Sequence, residues 1–153
     1  MMYINQSSSD AGGWASSEIR QFVNEELFKV FPSELQSAIK IVDKVSDGGF
    51  KNPVLVTTKD NCWLASCDEV GLPPVNDVLH GQGETYSLVF SSSNATRSKY
   101  VVDTTQKGGW WLRSSHVGNS NDTNTLWDQV MTGGGRYGYF PHVELYVAFG
   151  FCI

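Results

Sequence analysis

The residues best suited to do chemistry lie in one stretch near the C-terminal end. Between His116 and His142 the chain carries His116, Asn119, Asn121, Asp122 and Asn124, then Trp127, then Arg136, Tyr137, Tyr139 and His142. Tyr and Trp offer large, stiff contact area at small entropic cost, and Asn and Asp add adaptable hydrogen bonds, as in antibody paratopes. The chemistry this predicts is recognition. Exposed rings would stack on sugar faces or form a flat protein-binding patch, while amides and carboxylates would take up hydroxyls. For Trp127 and Tyr139, packing beneath the loop is an equal alternative. Asn121, Asp122, Asn124 and Asp128 offer hard oxygen ligands for calcium, but no loop pattern fixes their geometry.

Bond-making chemistry has less to stand on. Asp103, Asp122, Asp128 and Glu144 show no paired arrangement for acid and base work. His80, His116 and His142 are scattered, and Cys62, Cys67 and Cys152 form an odd set without ligand spacing. The three thiols are expected to be free and buried. Gly81-Gln82-Gly83 is too short to cradle a phosphate. No enzyme and no cofactor is predicted.

A second cluster, Trp110-Trp111-Leu112-Arg113-Ser114, reads as structural. Adjacent Trp residues on a strand point to opposite faces, so each indole enters a different environment. Arg113 shares a face with Trp111, and its planar fork can tie down carbonyls or a carboxylate from a distant segment, which Lys does poorly. A core strand with one buried Arg network is the expectation.

These residues need a frame. Residues 1–13 are polar and Gly-rich and predict a flexible arm; residues 14–153 predict one domain. From Trp14 the apolar residues Ile19, Phe22, Val23, Leu27, Val30 and Phe31 recur at helical spacing, with Asn24 a possible break. A second helix is expected from Ser33, as N-cap of a capping box with Gln36, burying Leu35, Ala38, Ile39 and Val42. Beyond Asp43 the period becomes strand-like. Strands are expected near Val45, over 52–58, 62–66, 86–90 and at the two Trp, with a half-exposed strand over 126–131. The apolar run from Leu145 to Ile153 reads as a central strand, so the 116–142 segment would hang between buried anchors.

Of 153 residues 41% are hydrophobic and 18% charged, which predicts a globular chain with a neutral polar surface. The net charge of −5 without a basic cluster argues against nucleic acid. No apolar run approaches about 20 residues, and residues 1–6 lack the pattern of a signal peptide, so no membrane span or secretory leader is expected.

The order of motifs carries a resemblance. Trp14 to Asn24, Phe31-Pro32-Ser33-Glu34-Leu35, Trp63-Leu64-Ala65-Ser66 with Glu69-Val70, Trp110 to Ser114, and Val147 to Ile153 together resemble a family of unassigned function from gut bacteria and their phages, marked by W-W-L-R-S. Many bacterial members end in a G-V-R-P-A-L type strand. Here Tyr146 to Phe151 replaces it without the Arg, as in phage tail-associated members. The set is also similar to C-type-lectin-like domains, including the variable proteins of diversity-generating retroelements. The resemblance implies an α+β fold with two N-terminal helices on a twisted antiparallel sheet. It implies a binding module on a virion or an extracellular bacterial surface, with a bacterial surface glycan or protein as partner. The alternatives are a structural virion or baseplate protein using 116–142 for self-assembly, and a surface adhesin or calcium-dependent lectin; at a tail fibre tip the chain would be a homo-oligomer, a trimer.

Overall fold

A computed structural model describes residues 1–50, 52, 54–73, 76, 78–90, 93–116 and 126–153. It combines a few short helices with several small antiparallel sheets. The helices are α1 (Gly13–Ser16), α2 (Glu18–Gln21), a π-helical turn over Phe22–Leu27, α3 (Ser33–Ala38) and α4 (Asn94–Arg97). The strands are β1 (Val42–Asp47), β2 (Leu55–Asp60), β3 (Trp63–Leu64), β4 (Lys99–Tyr100), β5 (Lys107–Gly108), β6 (Trp110–Ser115), β7 (Trp127–Val130), β8 (Arg136–Tyr139) and β9 (Phe149–Gly150). They pair as β1-β2, β3-β9, β4-β5 and β6-β7-β8. Among the described residues, no helix is long and apolar enough to cross a membrane.

The first helical stretch is broken where its side chains are needed elsewhere. Ser17 adopts an extended backbone and caps α2 by accepting from the Arg20 N–H. Asn24, inside the π-helical turn, uses its amide to hold the loop after β2 to the helix. Its Oδ1 accepts from the N–H groups of Asn61 and Cys62, and its Nδ2 donates to the carbonyls of Cys62 and Arg20. Buried Asp60 completes the clasp by accepting from Trp14 Nε1 at 2.8 Å, Arg20 Nε at 2.7 Å and Thr58 Oγ1 at 2.7 Å. A wide helical turn at such a clasp is where π geometry commonly occurs. At Gly13 a Cβ would lie 2.1 Å from the Asp47 carbonyl, so only glycine lets α1 start against the end of β1.

Strand β6 is the centre of the molecule. All six of its residues are buried, and its two indoles part as the alternation requires. Trp111 joins a core with Ile4, Trp14, Ile19, Val23, Trp63, Leu64 and Trp127; Trp110 and Leu112 join a second core with Val70, Leu72, Val78, Phe90 and Val130. The polar residues of β6 then tie in distant segments. Arg113 donates to the carbonyls of Val45, Leu64 and Gln82 and to the Glu69 carboxylate. Ser114 Oγ accepts from the Cys67 N–H and donates to Gln82, and Ser115 bonds Asp47 through both its N–H and its hydroxyl.

Several expectations change. Residues 1–13 do not form a loose arm. Ile4 is fully buried, Met2 bridges Leu145 and accepts from the Trp111 indole, and Asn5 Oδ1 receives the Glu18 N–H. Two apolar side chains in a polar run suffice to seat it. Ser33 opens α3 as its first residue and Pro32 occupies the cap. The expected capping box is absent because Gln36 donates to the carbonyls of Lys29 and Phe31 instead. Ala38 and Val30 face outward. The 86–90 segment is a turn, and β7, expected half-exposed, is buried throughout because both its neighbours and both its faces are covered. The last nine residues form a chain of isolated pairings, Met2 with Leu145, Trp110 with Tyr146, β9 with β3 and Lys40 with Cys152, where a central strand was expected.

One buried group does not suit the fold at neutral pH. Asp10 is 1% exposed, and neither of its carboxylate oxygens makes a full hydrogen bond among the described residues. Burial raises its pKa to about 6, with the Asp47 carboxylate adding to the effect. A carboxyl raised above its unfolded value favours the fold when protonated, and that contribution is lost as pH rises from 3.8 through about 6. The Asp10→Asn variant is therefore expected to be more stable than the parent at pH 7, by at most ~3 kcal/mol, with the gap closing at pH 4. Denaturant unfolding at the two pH values checks this; an equal gap at both would refute it.

Candidate functional site

The sheet β6-β7-β8 carries the residues that the sequence singles out. β7 pairs with β8 in the register Trp127 to Tyr139, Asp128 to Gly138, Gln129 to Tyr137 and Val130 to Arg136. The connecting turn uses Gly134 in the left-handed region, at φ 81°. On β8 the alternation is strict: Arg136 and Gly138 face inward, Tyr137 and Tyr139 outward.

The inward side is organised by Asp128, which is fully buried. Its carboxylate receives Arg136 Nε at 2.8 Å and the Cys67 thiol at 2.8 Å, and contacts His116 Nε2 at 2.9 Å. The His116 ring lies across β8 where a Cβ on residue 138 would come within 2.7 Å of it, so glycine at 138 makes room for the ring. Thiol, carboxylate and imidazole side by side suggest a nucleophile, but the environment argues otherwise. Burial, and then the Asp128 carboxylate, push the Cys67 thiol well above its ordinary pKa. A catalytic thiol needs the reverse. The cluster fixes the position of β8 on the sheet.

The outward side is a row of rings. Tyr137 is 53% exposed, Tyr139 37% and Phe140 43%, and His142 is exposed as well. Ring centroids step 5.9 Å from Tyr137 to Tyr139, 6.4 Å to Phe140 and 5.7 Å to His142, whose Nδ1 contacts Ser8 Oγ at 3.2 Å. Pro141 is buried and its carbonyl accepts from the N–H groups of Ile4 and Asn5, so the end of the row is pinned by the N-terminal segment.

The structure thus sorts the expected site residues. Tyr137, Tyr139 and His142 come together on the surface. Arg136 and His116 sit beneath them as supports. Trp127 is sealed in the first core, which removes it from any contact surface. Asn119, Asn121, Asp122 and Asn124 lie outside the described residues. Asp128, considered as a calcium ligand, is taken up by Arg136, His116 and Cys67, and among the described residues no group of three or more side chains could hold a metal ion. Phe140 was missed, although its position after Tyr139 extends the same aromatic run.

The cysteines divide as well. Cys62 and Cys67 are buried, while Cys152 is exposed, contrary to the expectation that all three are enclosed. Titration of the native chain with a disulfide reagent is expected to modify one thiol rapidly and the other two only after denaturation. Fast reaction of Cys67 would overturn its assignment as an inert support.

A comparison with curated proteins and one with solved structures each returned no match. The profile of a family described as a domain of unknown function (DUF6273) matches residues 2–137, which takes in the N-terminal segment, both helical stretches and the whole of β6 and β7. The chain therefore belongs to the DUF6273 family.

Proposed function

We propose that this chain is a non-enzymatic binding module, of C-type-lectin-like type, that recognises a bacterial surface glycan through the aromatic row of β8 and the residues after it. One observation carries the reading: four exposed rings follow one another at 5.7 to 6.4 Å, two of them on β8, whose inner side is locked by a buried ion cluster, and two in the segment directly after it. Rings held by a stiff support lose little entropy on binding. Tyr137 and Tyr139 are tilted by 47° and Tyr139 and Phe140 by 71°, so the row offers separate small faces. That geometry suits successive sugar rings better than a flat protein surface. The proposed setting, a phage tail or another virion surface facing the host, rests on the resemblance of the closing segment Tyr146 to Phe151 to phage tail-associated proteins.

Replacing Tyr137 and Tyr139 together with Ala is expected to weaken binding to host cells or to their isolated surface polysaccharide at least ~10-fold. The melting temperature should stay within about 2 °C of the parent, because both rings are exposed. Trp127→Ala should instead cost ~3–5 kcal/mol of stability, as an emptied core site does. Undiminished binding by the double variant would refute the proposal, and a changed oligomeric mass would favour self-assembly through this face.

A further inference from the structure

A second feature, made of different residues, calls for a ligand of different chemistry. Between β3, β9, the 86–90 turn and the start of β6 lies a cleft of about 480 Å³, a size typical of small-molecule sites. Its walls include the rings of Trp63, Phe90, Trp110 and Phe149. Phe90 and Trp110 stack at 6.4 Å with planes 22° apart, which gives one wall a flat apolar face.

The charges around this cleft do not balance. Lys44 Nζ stands 3.9 Å from the Trp63 ring centroid and bonds Glu69 at 3.0 Å and the Tyr86 hydroxyl at 2.6 Å. Glu69 must also answer the fully buried Arg113, so one carboxylate serves two cations. On the other side Lys99 Nζ lies over the Phe90 ring at 5.1 Å, and among the described residues it pairs with no carboxylate. Lys44 and Lys99 line the cleft and, among the described residues, no carboxylate does, which leaves it with surplus positive charge beside apolar walls. In such low-dielectric surroundings the surplus attracts an anion far more strongly than it would in water.

We infer that this cleft binds a small organic acid with a flat apolar body, the body lying against Phe90 and Trp110 and the carboxylate meeting Lys99, within the field of Lys44. Lys44 has its hydrogen-bond partners already in place, so Lys99, whose ammonium lies over the Phe90 ring with no carboxylate beside it among the described residues, supplies the direct contact. A cationic ligand is disfavoured by the same surplus.

The test is calorimetric titration of the full chain with indole-3-acetate, indole-3-acetamide and tryptamine, which share a ring system and differ in charge. The acid is expected to saturate a single site, ~10-fold or more tighter than the neutral amide, with the amine weakest. Lys99→Gln should weaken the acid by about the same factor and leave the amide unchanged. Ala148→Phe, which fills the cleft from its lining, should abolish binding of both. The Tyr137→Ala, Tyr139→Ala variant should bind the acid as the parent does, which separates this site from the glycan-binding proposal. No saturable binding by any probe, equal affinity for acid and amide, or an acid affinity indifferent to Lys99→Gln would each overturn the inference.

Discussion

A single buried carboxylate, Glu69, has to satisfy Arg113 and Lys44 at once, and much of the architecture follows from that demand. Glu69 sits in a turn after β3, Arg113 in the middle of β6 and Lys44 on β1, so the ion cluster joins three parts of the chain that share no local pairing. Burial alone would push the Glu69 carboxyl up. Arg113, the Tyr86 hydroxyl and Lys44 together outweigh it, and Glu69 is held below its ordinary value. Buried charges of this kind add little net stability over a well-packed apolar replacement, but removing one partner strands the others. The cluster also explains why the sheets can be so small. Side chains of β6 replace much of the backbone pairing that a larger sheet would provide, holding the carbonyls of Val45, Leu64 and Gln82.

A frame built in this way leaves its edge strand free to present an exposed aromatic face. Asp128 repeats the device at the margin, where it gathers Arg136, His116 and a thiol under β8. Rigidity below and exposed rings above are two consequences of one alternation: residues 136 and 138 face in, 137 and 139 face out. The apolar cleft draws on the same cluster, since Lys44 on its wall shares the Glu69 carboxylate with Arg113.

How much of this could be read from the chain depends on how far the partners lie in sequence. The W-W-L-R-S run is legible because strand alternation and guanidinium geometry act locally: two indoles must part, and an Arg among them must find carbonyls. Its partners at Val45, Leu64, Glu69 and Gln82 are not legible, because nothing in their own sequence marks them as acceptors. For Trp127 the sequence leaves surface contact and packing beneath the loop equally open, because polar neighbours surround it; its burial depends on Ile4, Trp14 and Val23, more than a hundred residues away. The N-terminal segment misled for the converse reason. Its composition is that of a loop, yet Met2 and Ile4 find a niche beside Leu145 and Pro141 that only the folded chain creates. The closing apolar run looked like one strand because apolar residues suit strands, whereas here they serve as successive single bridges along a surface seam. Tyr137, Tyr139 and His142 stand out in the sequence by residue type alone; the strand alternation that turns the two Tyr rings outward is visible only in the fold.

The central claim is that the planar fork of Arg113, and not merely its charge, holds the frame together. Denaturant unfolding of Arg113→Lys tests it most directly. Lysine keeps the charge but cannot span three carbonyls and a carboxylate, so the account predicts a loss of ~3 kcal/mol or more. A loss below about 1 kcal/mol, the range of an ordinary surface change, would contradict it.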